Sequence, residues 1–222
     1  MALCLWSGGC DSTLLLHDLA ASEVLKEDTI IRAVSITHPQ IVNSTVASMV
    51  RLQILAELFK RGLKISYHEI NINNKDIECE QGSGAPQTVI WMSSVIPYLQ
   101  ETEDLYMGFI RSDDIWHFRE YLGLAFLNLQ ILRGNRGGLK LPLEWWSKAD
   151  VIQRLKKLGL YEMCWTCENP VKHQGTNKPC GKCRPCRTQT DAEYRLRKWP
   201  KQEGRVILSP VPLDTKAPRS LT

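Results

Sequence analysis

The sequence lacks any apolar run that approaches the ~20 residues a membrane-spanning helix requires. It also lacks a basic region followed by an apolar segment and a cleavage site, so we do not expect secretion. The first predicted strand starts at residue 2, which leaves no room for a cleavable leader. There is no internal repeat and no low-complexity tract. With 222 residues, 43% of them hydrophobic and 23% charged, the chain is expected to be a cytoplasmic globular protein.

The sequence has little net charge, and a formal value of +4 excludes no class of partner. Basic residues concentrate near the C-terminus, at Arg184, Arg187, Arg195, Arg197, Lys198 and Lys201. Such a cluster could meet RNA phosphate, an anionic nucleotide or an acidic partner, and it could equally be a solvated face.

Strand-like and helix-like segments alternate along the first two thirds of the chain. The predicted strands include Thr29–Thr37, Leu63–Ile70, Asp104–Ile110 and the possible strand Leu139–Leu143, and the predicted helices include 44–60, 89–99, 117–132 and 148–158. This alternation predicts a doubly wound α/β domain with a parallel sheet. Because ligands bind beyond the carboxyl ends of such strands, candidate site residues are Thr37, His38, Arg111 and Asp113.

A tight strand-to-helix turn follows the first strand, and we call its six residues, Ser7–Ser12, the glycine loop. Gly8 and Gly9 allow a close backbone approach to a ligand, and the start of the next helix offers free N–H groups to an anion. No Gly-Lys-Ser or Gly-Lys-Thr occurs in the chain, so the loop is not a Walker A motif. It is either a phosphate-binding loop or an ordinary capped turn.

Eight cysteines in a chain expected in the cytoplasm indicate metal binding or catalysis rather than disulfides. Five of them follow the pattern Cys164-x2-Cys167-x12-Cys180-x2-Cys183-x2-Cys186. Spacing alone favours the first four as a closed tetrahedral zinc site. The closely spaced last three are also compatible with an iron–sulfur cluster. Five candidates for four positions leave the ligand set open.

Two signals together resemble a known family. Ser7-Gly8-Gly9-Cys10-Asp11-Ser12 resembles the SGGxDS loop of the PP-loop ATP-pyrophosphatases. With the C-terminal cysteines, and with the segments 141–143, 148–152, 158–160 and 165–167, it resembles the 7-cyano-7-deazaguanine synthase family, QueC. The resemblance extends over about residues 2–195 and is weak in the middle third.

The resemblance implies an ATP-dependent C–N ligase of queuosine biosynthesis. Such enzymes adenylate the carboxylate of 7-carboxy-7-deazaguanine, release pyrophosphate, and form first an amide with ammonia and then a nitrile. The residues expected to hold ATP and Mg²⁺ are Ser7, Gly8, Gly9, Cys10, Asp11, Ser12, Thr13, Thr37, His38 and Arg111. Catalytic roles are expected for Ser7, Asp11, Ser12, Lys148 and Asp113.

The resemblance also implies a metal site and an organisation of the chain. It assigns Zn²⁺ to Cys167, Cys180, Cys183 and Cys186 and leaves Cys164 outside. We expect a PP-loop domain over 1–160, a zinc-binding segment with a helix over 161–199, and an extended tail over 200–222. The family tends to form homodimers, so we expect one here.

Departures from the family pattern concern the part of the pocket that is expected to bind the substrate and the amine. The family's Pro-Gly-Arg-Asn segment is replaced by residues 85–88, its Tyr-Gly-Gln-Arg-His stretch by residues 37–41, and its aspartate-containing stretch by residues 111–118. We therefore keep a variant in which the amine is not ammonia but a protein N-terminus, as for QueC-like proteins of anti-phage operons. Two other hypotheses are a tRNA-thiolating PP-loop enzyme, with Cys10 or Cys164 carrying sulfur, and a zinc-stabilised module that binds nucleic acid without catalysis. Nucleic acid is the less expected partner because the chain has no room for a further RNA-binding domain.

Overall fold

The computed structural model describes residues 2–22, 30–37, 44–72, 87–134 and 136–198. Five parallel strands form one sheet in the order β3-β2-β1-β4-β5. The strands are β1 (Ala2–Leu5), β2 (Ile31–Thr37), β3 (Ile65–Asn71), β4 (Asp104–Met107) and β5 (Leu139–Lys140). The order changes direction at β1, so the crevice beyond the carboxyl end of β1 is a topological switch point.

Helices cover both faces of the sheet, as the alternation in the sequence predicts. They are α1 (Cys10–Ala20), α2 (Ser44–Lys60), α3 (Gln87–Val95), α4 (Arg119–Arg133), α5 (Lys148–Lys157) and α6 (Arg184–Lys198). One buried cluster joins β1 to residues of α1, α2, α5 and α6, and a second joins the sheet to α3 and α4. The doubly wound parallel α/β class is therefore confirmed.

Three elements are shorter than the sequence predicts. The fourth strand ends at Met107 rather than Ile110, and β5 has two residues, ending before Pro142, which cannot donate to a ladder. The helix expected to reach Leu99 ends at Val95, where Pro97 lies in the 3₁₀ turn Ile96–Tyr98. All three differences concern element ends. Pro142 and Pro97 limit two of them, and β4 ends where Gly108 packs against the glycine loop.

The C-terminal part begins with a 3₁₀ turn, Tyr161–Met163, and continues into a short hairpin and α6. The hairpin pairs β6 (Val171–His173) with β7 (Thr176–Lys178), and its turn residues Gln174 and Gly175 both have positive φ, 50° and 77°. The expected tail over 200–222 lies outside the described residues. No described helix is both long enough and apolar enough to cross a membrane.

Candidate nucleotide and metal sites

The glycine loop connects the buried strand β1 to α1, and three of its carbonyl oxygens are held by the protein. Ser7 O accepts from Arg51 Nη1 at 3.4 Å, and Gly8 O accepts from the backbone N–H of Trp165 at 3.1 Å. Gly9 O accepts from the backbone N–H of Thr13 at 3.0 Å. Since the carbonyls are satisfied internally, the loop presents donors rather than acceptors to a ligand, which suits an anion.

Gly8 is required by both conformation and space. Its φ is +82°, a left-handed value, and a Cβ there would lie 3.0 Å from Arg51 Cγ. The loop's hydroxyl groups are brought together as well: Ser7 Oγ and Ser12 Oγ lie 3.0 Å apart, and Ser12 Oγ accepts from the Ser7 N–H at 3.2 Å. Thr13 is buried beneath the loop, where its Oγ1 accepts from Trp6 Nε1 at 3.0 Å.

A cavity of about 210 Å³ opens beside the glycine loop at the switch point. Its polar lining comes from Ser7, Asp11, Ser12 and Asp113 with the backbone of the loop. Its apolar wall consists of side chains from the ends of β1, β2 and β4 and from α3, namely Leu5, Trp6, Ile36, Trp91, Met107 and Phe109. The arrangement offers an anion site at one end and a surface for a flat ring at the other.

Lys148 reaches the glycine loop from the first turn of α5. Its Nζ donates to Asp11 Oδ2 at 2.6 Å, and the two side chains are only 11% and 19% exposed. Burial opposes the charge of Lys148, but the adjacent Asp11 carboxylate outweighs it and raises the pKa of the lysine. Lys148 is therefore a fixed cation at the loop.

Asp11 has one oxygen that the described residues leave unused. Its Oδ1 is buried and has no hydrogen-bond partner, whereas Oδ2 is bound to Lys148. An orphaned buried carboxylate oxygen is costly unless a ligand or cation completes it. Oxygen is the ligand that Mg²⁺ prefers, so the donor set at this position fits a magnesium ion bound with phosphate.

The other candidate residues are placed differently. Asp113 lines the cavity and accepts from the Ile110 N–H at 2.8 Å. Thr37 ends β2 and donates to the Asn71 side chain, and Arg111 is anchored through its backbone N–H to Trp146 O at 3.3 Å. Neither Thr37 nor Arg111 lines this cavity among the described residues, and His38 lies outside them.

Cys10, the variable residue of the loop motif, is fully buried on the side of α1 that faces the C-terminal segment. Its sulfur lies within hydrogen-bonding reach of Cys164, and this contact, with help from Lys148, lowers the pKa of Cys10. Cys164 keeps its proton, because the contact with Cys10 and burial both raise its pKa. The pair does not line the cavity, so neither sulfur faces the apolar wall.

Four cysteines form a group that could hold a metal ion, which we call the metal cluster, and they are the four that the family resemblance assigns. The sulfurs of Cys167, Cys180, Cys183 and Cys186 all lie within 4.8 Å of one another, and those of Cys167 and Cys183 are 4.0 Å apart. Zinc bonds of ~2.3 Å in a tetrahedron place sulfurs about 3.8 Å apart, so the geometry fits zinc. The spacing-based set that includes Cys164 is not what the structure brings together.

Backbone N–H groups donate hydrogen bonds to the sulfurs of the metal cluster and favour their thiolate form. The N–H groups of Lys182 and Cys183 donate to Cys180 Sγ at 3.4 and 3.2 Å, and they lower the pKa of Cys180 to about 6. The Cys180 N–H donates to Cys167 Sγ at 3.2 Å. Amide donors to sulfur stabilise the deprotonated form that a metal needs.

A chain of contacts connects the metal cluster to the glycine loop. Gln189 on α6, one turn beyond Cys186, accepts from Thr166 Oγ1 at 2.5 Å and donates to Tyr161 at 2.6 Å. Between these two partners, Trp165 donates its N–H to Gly8. The segment that carries the first cluster ligand is therefore in direct contact with the loop.

Known proteins match parts of this arrangement. Residues 115–196 match the family model of the queuosine biosynthesis protein QueC. A 7-cyano-7-deazaguanine synthase of Prochlorococcus marinus (strain NATL2A) is 35% identical over 78 residues, which are 34% of this chain and 32% of that protein. The match thus spans about a third of the curated relative.

Among solved structures, the U34-tRNA thiolase NcsA of Methanococcus maripaludis with its [4Fe-4S] cluster has the same fold, with a TM-score of 0.50 at 15% identity. The likeness covers 89% of this chain and 66% of that one. The chain therefore shares a parallel α/β fold with this thiolase. In residues 115–196 it is also similar to the QueC family.

Several site residues escape sequence reasoning. Arg51 lies in the middle of an apolar helical pattern, and Trp165 acts through its backbone N–H, which no side-chain motif reveals. The apolar wall residues Trp91 and Phe109 read as ordinary core positions. The one signal that the sequence offered for these residues is the charge of Arg51 within the apolar pattern of α2.

Proposed function

We propose that the chain is an ATP-dependent C–N ligase that adenylates the carboxylate of 7-carboxy-7-deazaguanine and passes the acyl group to an amine. The carboxylate oxygen attacks the α-phosphorus of ATP, and the P–O bond to pyrophosphate breaks. The amine nitrogen then attacks the acyl carbon, and AMP leaves. With ammonia the product is an amide, and a second adenylation and loss of AMP would give the nitrile.

The observation that carries this proposal is the loop with internally held carbonyls beside a buried Lys148–Asp11 pair, in a QueC-like chain. Ser7, Ser12 and the loop N–H groups bind the departing pyrophosphate, and Lys148 offsets the charge that develops there. Trp91 and Phe109 provide apolar surface for a purine-like ring. The developing charge is met by groups that are already oriented.

Two metal ions complete the proposed enzyme. Asp11 would hold Mg²⁺ through its free oxygen, where the ion supplies charge neutralisation on phosphate. Cys167, Cys180, Cys183 and Cys186 would hold Zn²⁺, which orders the C-terminal segment. The metal cluster's role is structural, since its contact with the loop runs through Thr166 and Trp165.

Mass spectrometry tests the reaction. Purified protein is incubated with ATP, Mg²⁺ and 7-carboxy-7-deazaguanine, with and without ammonia. AMP with the nitrile supports a synthase of the family's usual type. AMP with an amide, or pyrophosphate release with an adenylate that stays intact, supports a ligase for another amine. No pyrophosphate under any condition contradicts both.

The second form of the ligase uses a protein N-terminus as the amine, as proposed for anti-phage defence. The altered residues of the substrate side motivate it, since the loop is complete while the segments 37–41 and 111–118 differ from the family pattern. The chain is co-expressed with the proteins encoded next to it. Intact-mass analysis should then show a deazaguanine acyl group added to one of those proteins. A chain that makes only the free nitrile would remove this form.

tRNA thiolation is the candidate from another class, and the Cys10–Cys164 contact beside the loop is the observation that favours it. A sulfur carrier would have to be one of these two residues. If the protein is a thiolase, replacing both residues by alanine should abolish thiolation of tRNA. Neither the unmodified protein nor the double variant should then form AMP with 7-carboxy-7-deazaguanine. Retained AMP formation in the double variant supports the ligase instead.

We also propose that the protein acts as a cytoplasmic homodimer. Helix α4 exposes large apolar side chains along one face, with Tyr121 70%, Leu124 58% and Ile131 65% exposed. A second copy of this face is a matching apolar surface. Light scattering should give twice the chain mass, reduced to one chain mass by Leu124→Glu and unchanged by Lys172→Glu.

A further inference from the structure

We infer that Arg51 is a positioning residue for the glycine loop: it contacts the loop without lining the cavity and orients it for pyrophosphate. The inference rests on the proposed use of ATP at this loop. It concerns a residue of α2 that neither lines the cavity nor belongs to the loop motif. Arg51 acts on the ligand only through Ser7 and Gly8.

The first observation is the burial of Arg51. Its side chain is 3% exposed, in a helix whose neighbouring positions Ile54, Leu55 and Leu58 pack into the apolar core. A buried guanidinium is costly unless all its donors are used. A cation at such a position therefore needs hydrogen-bond acceptors for the N–H groups of its planar guanidinium fork.

The second observation is how that fork is used. Nε donates to the Tyr67 hydroxyl at 2.9 Å, and Nη2 donates to Glu69 at 3.1 Å and to Ser48 at 2.8 Å. Tyr67 in turn donates to Glu69 at 2.7 Å. The remaining nitrogen, Nη1, donates to the backbone oxygen of Ser7 at 3.4 Å. The network on β3 and α2 thus aims one donor at the loop.

The charge state of the network matches this role. Burial opposes ionisation of Glu69, but hydrogen bonds from Tyr67 and Arg51 outweigh it and lower the pKa of Glu69. The carboxylate is therefore charged at neutral pH and balances Arg51. A balanced pair fixes the direction of the guanidinium without leaving a net charge that would need solvent.

Peptide planarity converts this contact into ligand geometry. In a trans peptide the C=O and the following N–H point in opposite directions. When Arg51 draws the Ser7 oxygen toward α2, the Gly8 N–H must point away from α2. Trp165 holds the next carbonyl, Gly8 O, in the same manner and so directs the Gly9 N–H, which donates to Ser7 Oγ at 3.3 Å. Two consecutive loop amides are thus oriented by α2 and by the C-terminal segment.

Steric contact reinforces the hydrogen bond. The methylene stem of Arg51 lies against the loop so closely that a Cβ on Gly8 would be 3.0 Å from Arg51 Cγ. Arg51 therefore holds the left-handed Gly8 conformation from behind as well as through its donor. Since the loop meets pyrophosphate and not the base, the effect should appear only with ligands that carry the β- and γ-phosphates.

Nucleotide binding by Arg51→Met, which keeps the stem and removes the fork, tests this inference. The full chain is titrated with ATP–Mg²⁺ and, separately, with AMP. We expect ATP affinity to fall about 10- to 100-fold, the range for loss of a charge-assisted hydrogen bond, while AMP affinity changes less than threefold. Arg51→Lys should show the same selective loss, because a lysine cannot serve the loop and the β3 partners at once.

The matched control is Arg61→Met, at the residue that directly follows α2. Arg61 binds Glu57 and the Leu158 carbonyl and is 29% exposed. It follows Arg51 by ten residues, roughly 15 Å at the helical rise of 1.5 Å per residue. Arg61→Met should leave both affinities unchanged. If Arg51→Met does not fold, Arg51→Lys and the charge-neutral pair Arg51→Met with Glu69→Gln carry the test.

Three outcomes overturn the inference. Equal losses for ATP and AMP would make Arg51 a general structural residue, and unchanged ATP affinity would give it no role at the loop. A loss in Arg61→Met equal to that in Arg51→Met would point to the stability of α2 instead. Absence of ATP binding by the unmodified protein would contradict the proposed function itself, which is a different result from any of these.

Discussion

At the scale of the residue, Gly108 shows how little room the glycine loop leaves. It follows β4, and a Cβ there would lie 2.9 Å from the Ser12 backbone nitrogen and 3.0 Å from the Asp11 carbonyl carbon. Both contacts are with backbone, which cannot rotate away. The loop is therefore packed against β4 through a position that only glycine can fill.

Gly108→Ala should accordingly displace the loop. We expect the free energy of unfolding to fall by ~1–3 kcal/mol, as for overpacked cores, and ATP affinity to fall with it. Gly123→Ala is the control: Gly123 lies inside α4 with nothing within 4 Å of the added Cβ, so helix propensity should stabilise it by ~0.5–1 kcal/mol. Urea denaturation and ATP titration of both variants test the expectation, which fails if Gly108→Ala binds ATP normally.

Lys148 is the residue whose loss should affect chemistry most. Lys148→Met removes the cation beside Asp11 and leaves its buried carboxylate uncompensated. We expect AMP formation to fall by roughly 100-fold or more, in line with loss of one fixed electrostatic donor in other enzymes. Lys157→Met, on the exposed side of the same helix, should retain activity. Equal activity in both variants would remove Lys148 from the mechanism.

The same pair gives a signed pH dependence. Because the pKa of Lys148 is raised in the folded protein, its pairing stabilises the fold fully below its ordinary value of ~10.4. That contribution should disappear only as the pH rises through the raised pKa. Thermal unfolding between pH 7 and pH 11 should show a loss at the alkaline end that Lys148→Met lacks.

Residue identities in the glycine loop, at Lys148 and in the metal cluster could be predicted from the sequence, because each belongs to a motif of side chains. The contributions of Arg51 and Trp165 could not. Trp165 acts through a backbone N–H, and Arg51 reaches the loop only when α2 packs beside β1. The choice of Cys186 over Cys164 needed the family resemblance, since spacing alone favoured the wrong set.

At the scale of the element, α5 begins with a cap that also places Lys148. Ser147 accepts from the Asp150 N–H at 3.2 Å, and Asp150 accepts from the Ser147 N–H at 3.0 Å, which forms a capping box. Ser147→Ala should therefore cost ~1 kcal/mol and reduce AMP formation through Lys148. Ser94→Ala, which removes a hydrogen bond to the Ile90 carbonyl near the end of α3, should change the free energy of unfolding by no more than ~0.5 kcal/mol. Chemical denaturation compares the two.

The cap of α5 could be predicted because it depends on residues close in sequence, and the parallel sheet could be predicted because strands and helices alternate along the chain. The early end of β4 could not, because Gly108, the next residue, packs against the backbone of Asp11 and Ser12. Apolar pattern continues to Ile110, and only the neighbouring element shows why pairing stops at Met107.

Removing the metal should loosen α6 and then the glycine loop. Cys186 lies on α6, and Gln189 and Thr166 connect this helix to the segment that holds Gly8. Treatment with a chelator should reduce amide-exchange protection of residues 164–198 and weaken ATP binding, whereas Cys164→Ser should keep one metal per chain. Elemental analysis identifies the metal. Iron together with inorganic sulfide would indicate an iron–sulfur cluster instead of zinc.

At the scale of the whole molecule, the C-terminal segment shares its core with the α/β sheet. Tyr161 and Ala192 are each 5% exposed and belong to the same buried cluster as Cys4 and Trp6 of the first strand region. Helices α5 and α6 pack against each other on that face. Part of the hydrophobic stabilisation of the α/β domain therefore comes from residues beyond the predicted boundary at 160.

A chain that ends at residue 160 should fail to fold cooperatively, while one that ends at residue 199 should unfold with the same midpoint as the full chain. The shorter chain exposes the apolar surface under Tyr161 and Ala192, and it loses Trp165, which holds Gly8. Calorimetry with metal present distinguishes the cases. A single sharp transition for 1–160, with retained ATP binding, would make the C-terminal segment an independent appendage. Loss of the transition would mean that the C-terminal segment completes the core.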